Sequence, residues 1–257
     1  MADSEPAKKG GLTRREWLRL GVAAGAGAAA GALGAYQVSR LLGPPAAVEG
    51  EVRDIIYHVS YQNNEPIAPS TPVRVTDLQE WQGAPGLWRA VFSATPTGSS
   101  YLAGSGLPVL VIRVKRDDAT FSAPLPAEFD LPAGFGLFYD DPARDTRIVV
   151  LFDRCTHLCC KPSWHTTPVP ASVRNYLVPP PTYTVYGQDP IYCACHDAQF
   201  DPMVLVKDVH PNGPSYVGAR QVYLTAVRAL PIVPVRAEGD ILIGGTNNLR
   251  WYTSYCG

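Results

Sequence analysis

Cys155-Thr156-His157-Leu158-Cys159-Cys160 and Cys193-Ala194-Cys195-His196 are the two stretches on which the reading of this chain turns. The first offers Cys-x-His and the second Cys-x-x-His, each with additional cysteine. Most of the chain's 6 cysteines fall in these two short segments, which argues against chance. Thiolates suit iron and sulfide, and imidazoles hold iron with less negative charge. Two of each describe a [2Fe–2S] cluster with cysteine on one iron and histidine on the other. Zinc takes the same side chains. Zinc fingers, however, put paired Cys in one knuckle and paired His in the other. Here each segment mixes the two, which suits two irons with different ligands.

The boxes, the strand-like lead-in 147–152 (RIVVLF) and the later Gly213-Pro214 together resemble the Rieske iron–sulfur subunit of cytochrome bc complexes. In that family the boxes read roughly C-T-H-x-G-C and C-x-C-H-x-S. The resemblance implies that Cys155 and Cys193 ligate one iron and His157 and His196 the other. It implies a Cys160–Cys195 disulfide tying the cluster loops together, and a proline loop at Gly213-Pro214 packed over the cluster. The implied fold is all-β: a Rieske-type antiparallel β-sandwich with an inserted cluster-binding subdomain, plus one N-terminal transmembrane helix.

The implied activity is that of an electron-transfer subunit in a quinol:cytochrome c-type oxidoreductase. Its partners would be a cytochrome b-type subunit, membrane quinol and a cytochrome c-type acceptor. His157 and His196 would contact quinol through their outer ring nitrogens, so that an electron and a proton leave the quinol together. Leu158 would stand exposed at the tip and dock on cytochrome b; a core leucine is the plainer reading. The alternative is the Rieske small subunit of an exported arsenite-oxidase-type molybdenum enzyme, which shares the boxes. The full disulfide pair and a hinge-like linker favour the first.

Three positions depart from the family pattern. Cys159 sits where glycine is usual, Ala198 at the usual serine, and Phe200 where high-potential members often carry tyrosine. Those hydroxyls donate to cluster and cysteine sulfur, so their loss disfavours the added electron and lowers the potential. Asp197 adds negative charge in the same direction, or serves as a turn residue.

The net charge of −1 implies no polyanion-binding surface, so nucleic acid is not an expected partner. The 25 prolines and 23 glycines suit a loop-rich β domain. Cys159 and Cys256 remain after the ligands and the first bridge; they are either free or joined as a second disulfide. A structural disulfide needs an oxidising compartment. At the N-terminus, Thr13-Arg14-Arg15-Glu16-Trp17-Leu18-Arg19 looks like a twin-arginine export signal, with the basic flank of an ordinary membrane helix as competitor. The uncharged run from Leu20 to Ser39 reaches about 30 Å as a helix, the hydrocarbon thickness. A retained anchor competes with a cleaved signal peptide. These features divide the chain into a cytoplasmic segment (1–17), an anchor helix (18–42), a linker (43–50) and a Rieske domain (51–257), with the cluster subdomain at about 152–203. The expected location is the cytoplasmic membrane of a prokaryote, single-pass, with the domain on the outer face.

Within the domain, strands are expected at 52–60, 72–76, 87–92, 108–114, 147–152, 204–206, 221–227, 232–235 and 240–243. Thr76–Trp81 could open a helical turn capped by Thr76. The stretch between the boxes is long and rich in proline and aromatics; it is read as shielding the cluster or docking a partner. His58, His165 and His210 receive no role.

A redox titration of the purified domain is expected to give a potential in the lower part of the range for anchored Rieske proteins, matched to a low-potential quinol such as menaquinol. A potential as high as in ubiquinol-linked members would contradict the reading of Ala198 and Phe200.

Overall fold

The computed structural model describes residues 51–57, 70–89, 106–164, 169–176, 178–211, 213–223, 226 and 228–252. The expected cytoplasmic segment, anchor helix and linker (1–50) lie outside the described residues. Among the described ones, no helix is long and apolar enough to cross a membrane.

The described chain is built from antiparallel strands in two sheets. They are β1 (Glu51–Tyr57), β2 (Gly83–Trp88), β3 (Leu107–Val114), β4 (Tyr139–Asp141), β5 (Thr146–Phe152), β6 (Ile191–Cys193), β7 (Ala198–Val209), β8 (Ser215–Tyr223), β9 (Leu230–Pro231), β10 (Val235–Glu238) and β11 (Ile241–Thr246). Seven of them form a sheet in the order β10-β11-β1-β2-β3-β5-β4, and four form a second in the order β6-β7-β8-β9.

The neighbouring strands β3 and β5 explain why the first sheet forms. Both are short unbroken apolar runs, and such runs pack on both faces. Val109, Val111, Ile112 and the whole of Ile148–Phe152 are buried. The two sheets meet along β5, where Val233 N–H donates to Val150 C=O at 2.8 Å and Leu151 bridges Ile232. The core behind this seam is aromatic. Trp88 packs edge-on to Tyr252 at 5.7 Å, as does Phe152, and Trp88 Nε1 donates to Gly244 C=O at 3.0 Å. A Cβ at Gly244 would lie 2.9 Å from the Trp88 indole, so only glycine lets that ring close on the strand.

Burying an arginine demands partners. Arg147 on β5 has them: its guanidinium pairs with Asp118 at 2.7 Å and Asp140 at 3.0 Å, and lies over the rings of Phe121 and Phe138. β7 accommodates Pro202, which cannot donate to a ladder, by shifting register between Asp201 and Leu205. The freed backbone is satisfied locally. Met203 N–H donates to the Asp201 carboxylate at 2.8 Å, and Met203 C=O accepts from Ser122 N–H at 3.0 Å.

The stretch between the boxes is fastened to both sheets. Trp164 Nε1 donates to Trp81 C=O at 2.7 Å, and the two indoles stack at 6.1 Å. The Arg174 and Asp189 side chains form a two-pronged ion pair across the stretch. The short helix α1 (Pro181–Thr184) is held at its start by Asp201, which accepts from Thr182 N–H and Oγ1. Burial pushes the Asp201 carboxyl up, and these three donors oppose that rise.

Some expectations need correcting. Residues 72–76 are not a strand: Pro72 and Arg74 make isolated bridges only, because Pro72 has no donor and Asp77 captures the Arg74 N–H. Thr76 does not cap a helix; its hydroxyl donates to Asp240, and a turn follows. The strand expected at 87–92 begins earlier, at Gly83. The sheet carrying the second box runs on through β7 to Pro231.

Gly83 fits beneath Trp164, where an added Cβ would lie 2.7 Å from the indole. Gly83→Ala is expected to destabilise the fold by about 1–3 kcal/mol through overpacking. The measurement is the urea midpoint followed by tryptophan fluorescence, and an unchanged midpoint would count against the packing described.

Candidate metal centre

The first box follows β5 directly. Buried β5 delivers the chain to Cys155, and a tight turn then folds the box on itself: Cys159 N–H donates to Cys155 C=O at 3.0 Å and Cys155 N–H to Cys160 C=O at 2.8 Å. The second box is the turn of the β6–β7 hairpin, closed by the pair Cys193↔Ala198. A disulfide, Cys160–Cys195, joins the two turns. The pairing implied by resemblance is therefore present.

Each turn contains a non-glycine residue in the left-handed region: Cys159 at φ 59 and Asp197 at φ 61. An L side chain there is strained by about 1–2 kcal/mol, which is why glycine suits position 159. Asp197 is a turn residue, and its carboxylate is held by the Tyr192 hydroxyl at 2.5 Å. Cys159 is itself disulfide-bonded. Its expected partner, Cys256, lies outside the described residues.

The four expected ligands form two pairs. Cys155 and Cys193 are free thiols, each 1% exposed, and they hydrogen-bond to one another. That bond, then burial, pushes the Cys155 thiol far up; it pulls Cys193 down to about 7. Backbone N–H groups of His157 and Leu158 point at the Cys155 sulfur, and those of Cys195 and His196 at the Cys193 sulfur. Such donors stabilise negative sulfur. The imidazoles of His157 and His196 pack edge to face at 4.6 Å. His157 Nδ1 is buried without a hydrogen-bond partner. A buried unpaired nitrogen is unfavourable, and an iron ligated there would satisfy it. Two thiols with converging N–H donors beside two imidazoles, one with an orphaned nitrogen, fit a two-iron, two-sulfide cluster. The Sγ atoms of Cys160, Cys193 and Cys195 lie within 4.8 Å of one another, but two of them are joined as the disulfide and do not offer thiolates.

Leu158 is 55% exposed between these positions, so the core reading of that residue does not hold. Ala198 and Phe200 are fully buried beside the second box. His58 and His165 lie outside the described residues, and His210 is buried away from the boxes in the β7–β8 turn.

The expected proline loop is misplaced. Gly213-Pro214 closes the β7–β8 hairpin, where Val209 pairs with Ser215, while Gln199 near the second box pairs with Tyr223. Twelve residues of β7 separate the two ends, on the order of 30 Å. The chain leaves the site along β7 and returns along β8, so the β8–β9 connection is what reaches the first box. There Thr156 Oγ1 donates to Arg228 C=O at 2.9 Å. That connection was missed because Tyr223–Leu230 contains neither proline nor glycine to mark it; strand register was the only signal.

Compared with known proteins, the chain matches no family model and no curated relative.

The Cys160–Cys195 bridge closes a loop spanning 35 positions. Replacing both cysteines by serine is expected to lower the unfolding free energy by about 4 kcal/mol, from the chain entropy returned to the unfolded state. Denaturant titration of the double variant checks this.

Proposed function

We propose that the chain holds a Rieske-type [2Fe–2S] cluster on Cys155, Cys193, His157 and His196, and that it is the electron-transfer subunit of a membrane quinol:cytochrome c-type oxidoreductase. The observation that carries the reading is the convergence, from two turns of two sheets, of a buried thiol pair and an imidazole pair. The bound cluster would supply a one-electron acceptor. The protein's own groups do the rest.

Backbone N–H groups around both sulfurs hold the thiolate end and favour negative charge there. The imidazole end faces outward: His196 is exposed and His157 partly so, with its Nδ1 on the buried side. With the cluster bound, an imidazole of His157 or His196 would accept a hydrogen bond from a quinol hydroxyl and would take up its proton as the cluster took the electron. Leu158, exposed beside His157, gives the tip an apolar surface suited to a cytochrome b-type subunit or to quinol. The disulfide implies an oxidising compartment, which agrees with a domain on the outer face of the cytoplasmic membrane and an anchor at 18–42. The electron would pass on to a cytochrome c-type acceptor.

Visible absorption and EPR of the purified protein should show a [2Fe–2S] centre with mixed ligands, and the signal should vanish in His157→Ala and in His196→Ala. Zinc in place of iron, or a signal retained in either variant, refutes the ligand set. Co-purification from native membranes with a cytochrome b, rather than with a molybdopterin subunit, tests the assignment to a quinol-oxidising complex.

A further inference from the structure

The first box is bracketed by two charges. Asp153 stands two residues before Cys155, and Lys161 follows Cys160 directly. The Asp153 side chain is 1% exposed, and its Oδ2 lies 3.4 Å from Lys161 Nζ, on a side chain 39% exposed. The position of the carboxylate is fixed by its backbone, because Asp153 N–H donates to Pro108 C=O at 2.9 Å and its C=O accepts from Arg154 Nη1 at 2.9 Å. A carboxylate in such a place is unfavourable without a cation at its side. Neither residue belongs to the ligand set, the disulfides or the resemblance.

We propose that Asp153 and Lys161 form a charge couple that sets the reduction potential of the centre, with the buried carboxylate opposing the added electron and the ammonium partly cancelling it. The inference rests on the [2Fe–2S] reading above. Its physical basis is Coulombic. A fixed negative charge near the site raises the energy of the more negative, reduced state, and burial keeps solvent from screening it. Lys161, at the surface, is screened more and compensates less. Both residues are positioning groups; neither touches the ligands' partner molecules.

The test is a redox titration of the loaded protein, followed by circular dichroism and EPR, in three variants. Asp153→Asn keeps the shape and removes the negative charge, so the midpoint should move upward. Lys161→Gln removes the ammonium and its share of the compensation, so the midpoint should move downward. The double variant should lie between the two. A purely structural role would not produce opposite signs, so shifts in one direction, or no shift in either single variant, overturn the proposal. If Asp153→Asn fails to hold the cluster, Lys161→Glu replaces it. Reversal must then lower the midpoint further than Lys161→Gln does, and an equal or upward shift overturns the proposal. A wild-type protein with no Rieske spectrum fails the parent reading instead, and this inference falls with it.

Discussion

The bond between Cys160 and Cys195 ties together turns that belong to different sheets. The first turn hangs from β5, next to the edge strand β4 of the seven-stranded sheet, and the second is the hairpin of β6 and β7 in the four-stranded sheet. Each turn alone carries one thiol and one imidazole, half of a ligand set. Bringing the halves into register requires the sheets to meet along β5, as Val150 and Val233 make them do. It also requires the stretch between the boxes to be fastened down. Trp164 over Gly83 and Thr182 on Asp201 hold it at two points.

The legible parts of the sequence were those where local chemistry decides the outcome. The run Ile148–Phe152 could only be a buried strand, and it delivers Cys155 to a fixed place. The two boxes marked out, by residue type and spacing, the thiols and imidazoles that the fold brings together. The illegible parts were those decided by register. Gly213-Pro214 looks like a loop that could cover a metal centre, and it is a turn, but at the wrong end of a long hairpin. The 72–76 alternation looked like a strand until Asp77 diverted its backbone donor. The strand signal at 204–206 marks only the middle of β7, which starts at Ala198 and runs to Val209.

The electrostatics of the site are more one-sided than the ligand motif implies. Ala198 and Phe200 bring no hydroxyl donors, Asp153 is buried nearby, and Asp197 sits in the second turn. In the proposed [2Fe–2S] reading, each of these would disfavour an extra electron. Against them stand the backbone N–H groups at both sulfurs and the ammonium of Lys161. A cluster held there would be adjusted by full charges as well as by hydrogen bonds to sulfur.

Cys159 has an evolutionary consequence. Its backbone adopts a conformation that glycine would take without strain, yet its sulfur is bonded. Reverting the position to glycine would relax the turn but leave a partner cysteine unpaired in an oxidising compartment, where an odd thiol invites wrong pairings. Changing the partner first would strand Cys159 in a strained turn with nothing gained. Neither single step leads downhill, so a lineage that has acquired this cysteine is held to it as by a ratchet.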